Sequence, residues 1–135
     1  MDKTMTGERH TARCLCGNIT LEAIGPAQYT EYCHCKWCQK SSGSAFMLWA
    51  VFDKDNVRVI SGELSYFQSS EKLKRGFCKN CGSSMSIHFD GNFDITLGVM
   101  DNPEPFRISR HIWNKSRIRQ VCIIDELPRF EEGGA

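Results

Sequence analysis

Cys78-Lys79-Asn80-Cys81-Gly82 is the stretch on which the fold turns. A C-x-x-C turn presents two sulfurs on one side of a backbone loop, and the glycine after it permits a tight backbone approach. Two thiols do not fill a tetrahedral metal site, so a second pair must come from elsewhere. Cys14-Leu15-Cys16-Gly17 is the natural choice. It also ends in glycine, and using it leaves intact a third cluster, Cys33-His34-Cys35-Lys36-Trp37-Cys38. Four thiolates on one ion are the closed form that structural zinc takes. Zinc held by Cys14, Cys16, Cys78 and Cys81 would tie the first strand to the middle of the chain. In zinc-finger peptides such a site contributes roughly 10–16 kcal/mol of apparent binding energy, comparable to a small domain's whole stability. The competing readings of the C-x-x-C are a redox pair or plain buried thiols, and a thioredoxin-type pair needs a βαβ context that this chain lacks.

Cys33, Cys35 and Cys38 are the remaining clustered thiols. Three thiolates on zinc carry a net charge of −1 and leave a fourth position for water or an incoming thiol, whose proton coordination would remove. The alternatives are that His34 or Cys122 closes the site, or that the trio stays free of metal. His34 lies between two ligands, so its side chain is expected to point away from their metal. Cys122, between Val121 and Ile123-Ile124, reads as a core thiol rather than a ligand.

The 135 residues have room for one domain, which would bury about two-thirds of its unfolded surface. Hydrophobic residues at 41% and charged residues at 24% are those of an ordinary globular chain. A net charge of +1 gives no reason to expect a nucleic-acid partner or a charged membrane surface. Arg107, Arg110, Lys115, Arg117 and Arg119 do gather, as a solvated strand face or as the receiver of an anionic small molecule. No apolar run approaches the roughly 20 residues of a membrane span. The N-terminus carries no apolar signal-peptide core. A cytoplasmic location is therefore expected. Thiols stay reduced there, and clustered cysteines serve as ligands rather than as the disulfides of a secreted scaffold.

Outward from the cysteines, most segments read as strands. Ile19, Leu21 and Ala23 alternate with polar neighbours before Gly25-Pro26. The apolar run from Ala45 to Phe52 is consistent with a strand covered on both faces. Val57 and Val59 resume the alternation after a turn at Asp53-Lys54-Asp55-Asn56. Leu64 to Phe67, Met85 to Phe89 and Phe93 to Val99 continue the series, with a hairpin signal at Asp90-Gly91-Asn92. Asn102-Pro103-Glu104-Pro105 is a rigid linker, and Ile108 to Val121 alternates in part. Cys38 to Ser42 suits one helical turn. Residues 1–12 read as a flexible lead-in, 13–130 as the zinc-binding domain, and 131–135 as a frayed tail. His88, on an alternating strand, reads as a satisfied or surface histidine.

Arg13-Cys14-Leu15-Cys16-Gly17-Asn18-Ile19, Cys33-His34-Cys35-x-x-Cys38-Gln39-Lys40-Ser41-Ser42-Gly43, Phe77-Cys78-Lys79-Asn80-Cys81-Gly82 and His111-Ile112-Trp113 occur in the order of one family's blocks. Over Arg13 to Phe130 the chain resembles the glutathione-dependent formaldehyde-activating enzymes, whose domain is shared with centromere protein V. The resemblance implies a mainly β, β-tent fold of several small bent antiparallel sheets stapled by zinc at Cys14, Cys16, Cys78 and Cys81. It implies a second, labile zinc at Cys33, Cys35 and Cys38, and a carbon–sulfur lyase reaction joining formaldehyde and glutathione reversibly. The chain departs from many members after Ser116-Arg117, where Ile118-Arg119-Gln120-Val121-Cys122 contains no aromatic residue.

The expected function is that of a zinc-dependent carbon–sulfur lyase of the S-(hydroxymethyl)glutathione synthase type. Its partners would be a small-molecule thiol such as glutathione and its aldehyde adduct, with neither nucleic acid nor membrane. Ser41, Ser42 and Gly43 offer hydroxyls and N–H groups to orient a polar thiol, or form a simple turn. His111 and Trp113 line the thiol pocket or form a buried structural pair. The alternative from a different class is a non-catalytic, zinc-stabilised binding module whose three-cysteine loop is a recognition surface.

Overall fold

The computed structural model describes residues 7–133; residues 1–6 of the expected lead-in and 134–135 of the expected tail lie outside them. Ten strands, one short helix and three 3-10 turns make up the regular structure of the described residues. The chain is mainly β, as its alternating segments imply.

A three-stranded sheet has the order β1-β2-β5, from Arg9–Arg13, Thr20–Ile24 and Val57–Ser61. β1 lies partly within the segment expected to be a lead-in. Its period-2 pattern is short, His10 and Ala12 inward, and its pairing with β2 supplies the missing hydrogen bonds. The seven-stranded sheet has the order β10-β3-β4-β9-β8-β7-β6. These strands are β3 Tyr29–Cys33, β4 Met47–Asp53, β6 Ser65–Gln68, β7 Lys74–Phe77, β8 Ser84–Phe89, β9 Asn92–Thr96 and β10 Ile108–Ile112. All pairings between these strands are antiparallel except β10 with β3, which is parallel.

The continuous apolar run forms β4, whose Trp49, Ala50, Val51 and Phe52 are all buried because both faces and both edges are covered. The main core joins the two sheets. Leu21 and Val57 from the smaller sheet meet Ala50, Phe52, Met85 and Ile95 from the larger. A smaller cluster of Cys33, Cys38, Met47, Trp49 and Ile112 sits under the three-cysteine loop. β8 and β9 are joined at Asp90-Gly91, with φ of 54° and 81°. Positive φ at both central positions is what a two-residue primed hairpin turn requires.

Strand structure ends at Ile112 rather than running partly to Val121. Trp113 takes a left-handed conformation, φ 55°, and a 3-10 turn follows at Asn114–Ser116. The C-terminal segment returns along β10: His111 N–H donates to Pro128 O and Phe130 N–H to His111 O, each at 2.9 Å. Within the expected tail, Glu132 accepts from Trp113 N–H at 2.8 Å and from Lys115 Nζ at 2.6 Å.

Candidate metal centres

The first cluster is assembled from two turns, each closed by a glycine, one over three residues and the other over four. Gly17 N–H donates to Cys14 O at 3.0 Å, and Gly82 N–H to Cys78 O at 2.7 Å. Both glycines have φ of 80°, a conformation costly for a residue with a Cβ. The turns face each other, and the Sγ atoms of Cys14, Cys16, Cys78 and Cys81 all lie within 4.8 Å of one another. Cys14 and Cys16 sulfurs are 3.6 Å apart, and Cys16 and Cys78 sulfurs 3.8 Å. A tetrahedron with zinc–sulfur bonds of about 2.3 Å has edges of about 3.8 Å. The donor set and its spacing fit zinc.

The sulfurs of this cluster are also hydrogen-bonded from outside. Ile19 N–H reaches Cys14 Sγ at 3.2 Å, Asn80 Nδ2 reaches Cys16 Sγ at 3.3 Å, and Ser83 Oγ lies 3.2 Å from Cys81 Sγ. The Ser83 hydroxyl holds the Cys81 thiol down to about 5, whereas burial pushes Cys78 up to about 11. Outer hydrogen bonds of this kind orient ligands and stabilise their charged form.

The second cluster occupies one loop. β3 delivers Cys33, the chain turns at His34, and Cys35 caps the helix α1, Lys36–Ser42, which carries Cys38. Cys35 Sγ accepts from Cys38 N–H at 3.3 Å, and Cys33 and Cys38 sulfurs are 3.4 Å apart. All three sulfurs lie within 4.8 Å of one another. Hydrogen bonds from Cys33 and Cys38 hold the Cys35 thiol down at about 2, and the same contacts push Cys33 upward. The trio thus favours a thiolate at Cys35 and suits a soft divalent cation such as zinc.

His34 turns away from the sulfurs, as expected for a residue between two ligands. Its Nε2 lies 2.9 Å from His111 Nδ1, and His111 Nε2 lies 2.8 Å from Asp125 Oδ2. Burial, then the charges of His111, Arg129 and Arg117, pushes His34 down to about 4. The ionised Asp125 accepts a hydrogen bond from His111 Nε2–H; in that neutral tautomer Nδ1 is the acceptor and His34 Nε2–H the donor. Tyr32 stacks on His111 with ring centroids 4.4 Å apart. His111 is therefore a fully buried structural group behind the loop.

Of the other residues expected at a thiol site, Ser41 lines a cavity of about 400 Å³ beside the second cluster, with Trp37, Lys40, Trp49, Phe67 and Arg75. Ser42 donates to Cys38 O at 2.8 Å, and Gly43, φ 70°, ends the helix. Both serve the turn. Trp113 is half-buried under Lys115, whose Nζ is 5.4 Å from its ring centroid. His88 is a satisfied histidine, 2.8 Å from Ser86 Oγ and packed on Phe93.

Cys122 is exposed and belongs to neither cluster. The expectation of a core thiol fails because the chain around it is a surface segment, where Ile124 is also exposed. Arg110 of the basic group pairs with Glu31 at 2.8 Å, while Arg117 and Arg119, with Arg129, border a cavity of about 380 Å³ next to His34. Sequence reasoning missed Arg75. Its Nη1 and Nη2 each lie 3.8 Å from Cys38 Sγ, and only the fold brings β7 against α1. Asp125 was missed for the same reason.

Against known proteins, the sequence model of the glutathione-dependent formaldehyde-activating enzymes matches residues 9–116. A Schizosaccharomyces pombe protein named as an uncharacterized lyase is 33% identical over 121 residues, covering 87% of this chain and 80% of its own. A Colletotrichum graminicola protein, provisionally named a glutathione-dependent formaldehyde-activating enzyme, is 29% identical over 101 residues. That match covers 72% of this chain and 47% of the relative, so the chain spans about half of that protein's length. A solved structure of a Rhodobacter sphaeroides protein superposes with a TM-score of 0.59 at 18% identity, over 88% of this chain and 98% of the other. That likeness is one of fold.

Proposed function

The chain belongs to the glutathione-dependent formaldehyde-activating enzyme family, and from that premise we propose that it is a zinc-dependent carbon–sulfur lyase. Its substrate would be the adduct of a small aldehyde, formaldehyde first, with glutathione or a related thiol. The family and its lyase-named relative support an enzyme of the lyase type. The observation that carries the finer reading is the three-sulfur cluster, which offers one ligand fewer than a closed site needs.

Cys33, Cys35 and Cys38 would hold the catalytic zinc, and Cys14, Cys16, Cys78 and Cys81 the structural one. When bound at the trio, zinc supplies Lewis acidity and a template for sulfur and oxygen. The chain's own residues do the rest. Cys35 offers a thiolate at neutral pH, and Cys38 N–H donates to that sulfur and fixes its direction. Lys40 and Ser41 stand at the cavity wall, where an ammonium and a hydroxyl suit the carboxylates and amides of a thiol peptide. Trp37 and Phe67, both exposed, line the same cavity and offer apolar surface to a ligand there.

In the cleavage direction the C–S bond breaks, sulfur leaves with the bonding pair, and the hydroxyl loses its proton as the carbonyl forms. The sulfur recovers one proton overall, so the adduct gives one thiol and one aldehyde. The architecture is read here as the family's β-tent. Among the described residues no helix is long and apolar enough to cross a membrane, and a cytoplasmic site of action suits the reduced cysteines.

The test is the rate of S-(hydroxymethyl)glutathione formation and breakdown over the spontaneous background, for the wild type and Cys35→Ser. A clear wild-type excess that Cys35→Ser abolishes supports the lyase. No excess with any thiol or small aldehyde favours the zinc-stapled binding module.

A further inference from the structure

Arg75 sits in the middle of β7, paired to Phe67 of β6 on one side and Ile87 of β8 on the other. Its backbone is fixed, and the residue is only 8% exposed. Among the described residues the ion pairs engage Arg9, Arg13, Arg58, Arg110, Lys115 and Arg129 with carboxylates, and none includes Arg75. Both of its side-chain hydrogen bonds among the described residues go to one atom, Cys38 Sγ, at 3.8 Å from each terminal nitrogen. A buried guanidinium with no counter-charge is strongly unfavourable. The negative charge that Arg75 needs has to come from the sulfurs.

The charges balance once the trio is loaded. Three thiolates and a divalent ion sum to −1, and one guanidinium brings the assembly to zero. A second observation points the same way: the Trp49 indole N–H is a buried donor with no hydrogen-bond partner, and Trp49 packs in one cluster with Cys33 and Cys38. Arg75 and Trp49 also line the cavity of about 400 Å³, so the guanidinium stands between the sulfurs and the space a ligand would enter.

We infer that Arg75 is the counter-ion of the three-cysteine site, a positioning residue whose guanidinium, held against Cys38 Sγ, offsets the charge of the loaded sulfurs and lets the site accept an anionic fourth ligand, a thiolate. The inference rests on the proposed zinc at Cys33, Cys35 and Cys38. Without Arg75 the loaded trio would carry −1 in a buried place, and a fourth thiolate would raise this to −2. With it, the same steps run from 0 to −1. The guanidinium thus favours both the metal and a thiolate over water. The closed four-cysteine cluster has no arginine within hydrogen-bonding distance of its sulfurs among the described residues, and its donors are backbone, amide and hydroxyl groups.

The experiment measures second-site metal affinity by competition with a chromophoric chelator, in the wild type, Arg75→Gln and Arg75→Lys. Arg75→Met, which keeps the apolar stem, replaces Arg75→Gln if the amide variant does not fold. Loss of the charge is expected to weaken zinc at the trio about 10–100-fold, with the four-cysteine site unchanged and Arg75→Lys recovering most of the loss. In Co²⁺-loaded protein, 2-mercaptoethanol is expected to shift the sulfur-to-metal charge-transfer bands of the wild type. Arg75→Gln should need at least about 10-fold more thiol. Second-site affinity within about two-fold of wild type in Arg75→Gln, or an equal loss in Arg75→Lys, would overturn the counter-ion role. Neither readout contains an aldehyde. A wild type without lyase activity but with an Arg75-dependent site would retire the catalytic reading alone.

Discussion

The two cysteine clusters use the same atoms for opposite ends. The four-cysteine cluster draws its sulfurs from two turns separated by 62 residues, Cys16 against Cys78. Nothing but the fold brings them together, so metal bound there is coupled to folding. The three-cysteine cluster takes all its sulfurs from the β3–α1 loop, held in place without a metal by other means. His34 N–H donates to Ile112 O at 3.1 Å, Gln39 Nε2 donates to His34 O at 2.7 Å, and the His34–His111–Asp125 chain locks the loop from behind. On the proposed reading, metal at the first cluster would hold the structure together, and at the second the structure would hold the metal.

The largest effect expected from this contrast is a split between two single substitutions of the same chemical kind. Cys81→Ser should abolish the cooperative melting transition, because the remaining thiols no longer close a site between the two turns. Cys35→Ser should leave the melting temperature within about 5 °C of wild type, a shift worth on the order of 1 kcal/mol. Calorimetry on both variants checks this, and similar curves would break the contrast.

The next largest effect concerns what supports the open loop. His111→Leu removes the partner of both His34 Nε2 and Asp125 Oδ2 at a fully buried position. It should cost about 1–3 kcal/mol in urea denaturation, while zinc at the four-cysteine cluster is retained on elemental analysis. A substitution without cost would mean that β3 and α1 alone hold the loop.

The smallest effect is a control remote from both clusters. Burial, then the charge of Glu31, pushes the Asp94 carboxyl of β9 up to about 8, and its Oδ1 has no hydrogen-bond partner. The folded chain therefore keeps a proton that the unfolded chain releases near pH 4. The resulting stability is fully present below that value and is lost as pH rises through about 8. Asp94→Asn should be more stable than wild type by about 1–2 kcal/mol near pH 9 and should gain less near pH 6. Denaturation curves at the two pH values check it. A change in zinc content with Asp94→Asn would show that the clusters respond to events far from them.

How much of this was legible in the sequence follows from how local each feature is. The pairing of Cys14-Leu15-Cys16-Gly17 with Cys78-Lys79-Asn80-Cys81-Gly82 was legible because each half is one turn with its own spacing and its own glycine. The β8–β9 hairpin and the buried β4 were legible for the same reason: positive φ at Asp90-Gly91 and an unbroken apolar run are written in consecutive residues. β7 was not, since Lys74-Arg75-Gly76-Phe77 has no alternation and is a strand because β6 and β8 flank it. Nor was the parallel pairing of β10 with β3, or the end of β10 at Ile112, where the chain turns at Trp113 to let residues 128–130 return along it. At the candidate site the three ligands were visible and their surroundings were not. Arg75, Trp49 and Asp125 come to the loop and its histidines from β7, β4 and the C-terminal segment, and no spacing rule links them to Cys33-His34-Cys35.

The most direct test is the zinc content per chain of wild type and Cys35→Ser, both purified without chelator, with circular dichroism on the same samples. The expected result is about two zinc ions in the wild type, and about one in a Cys35→Ser protein that keeps its β spectrum. Equal zinc contents in the two proteins, or a Cys35→Ser protein that has lost its fold, would contradict the division between a closed structural centre and an open one.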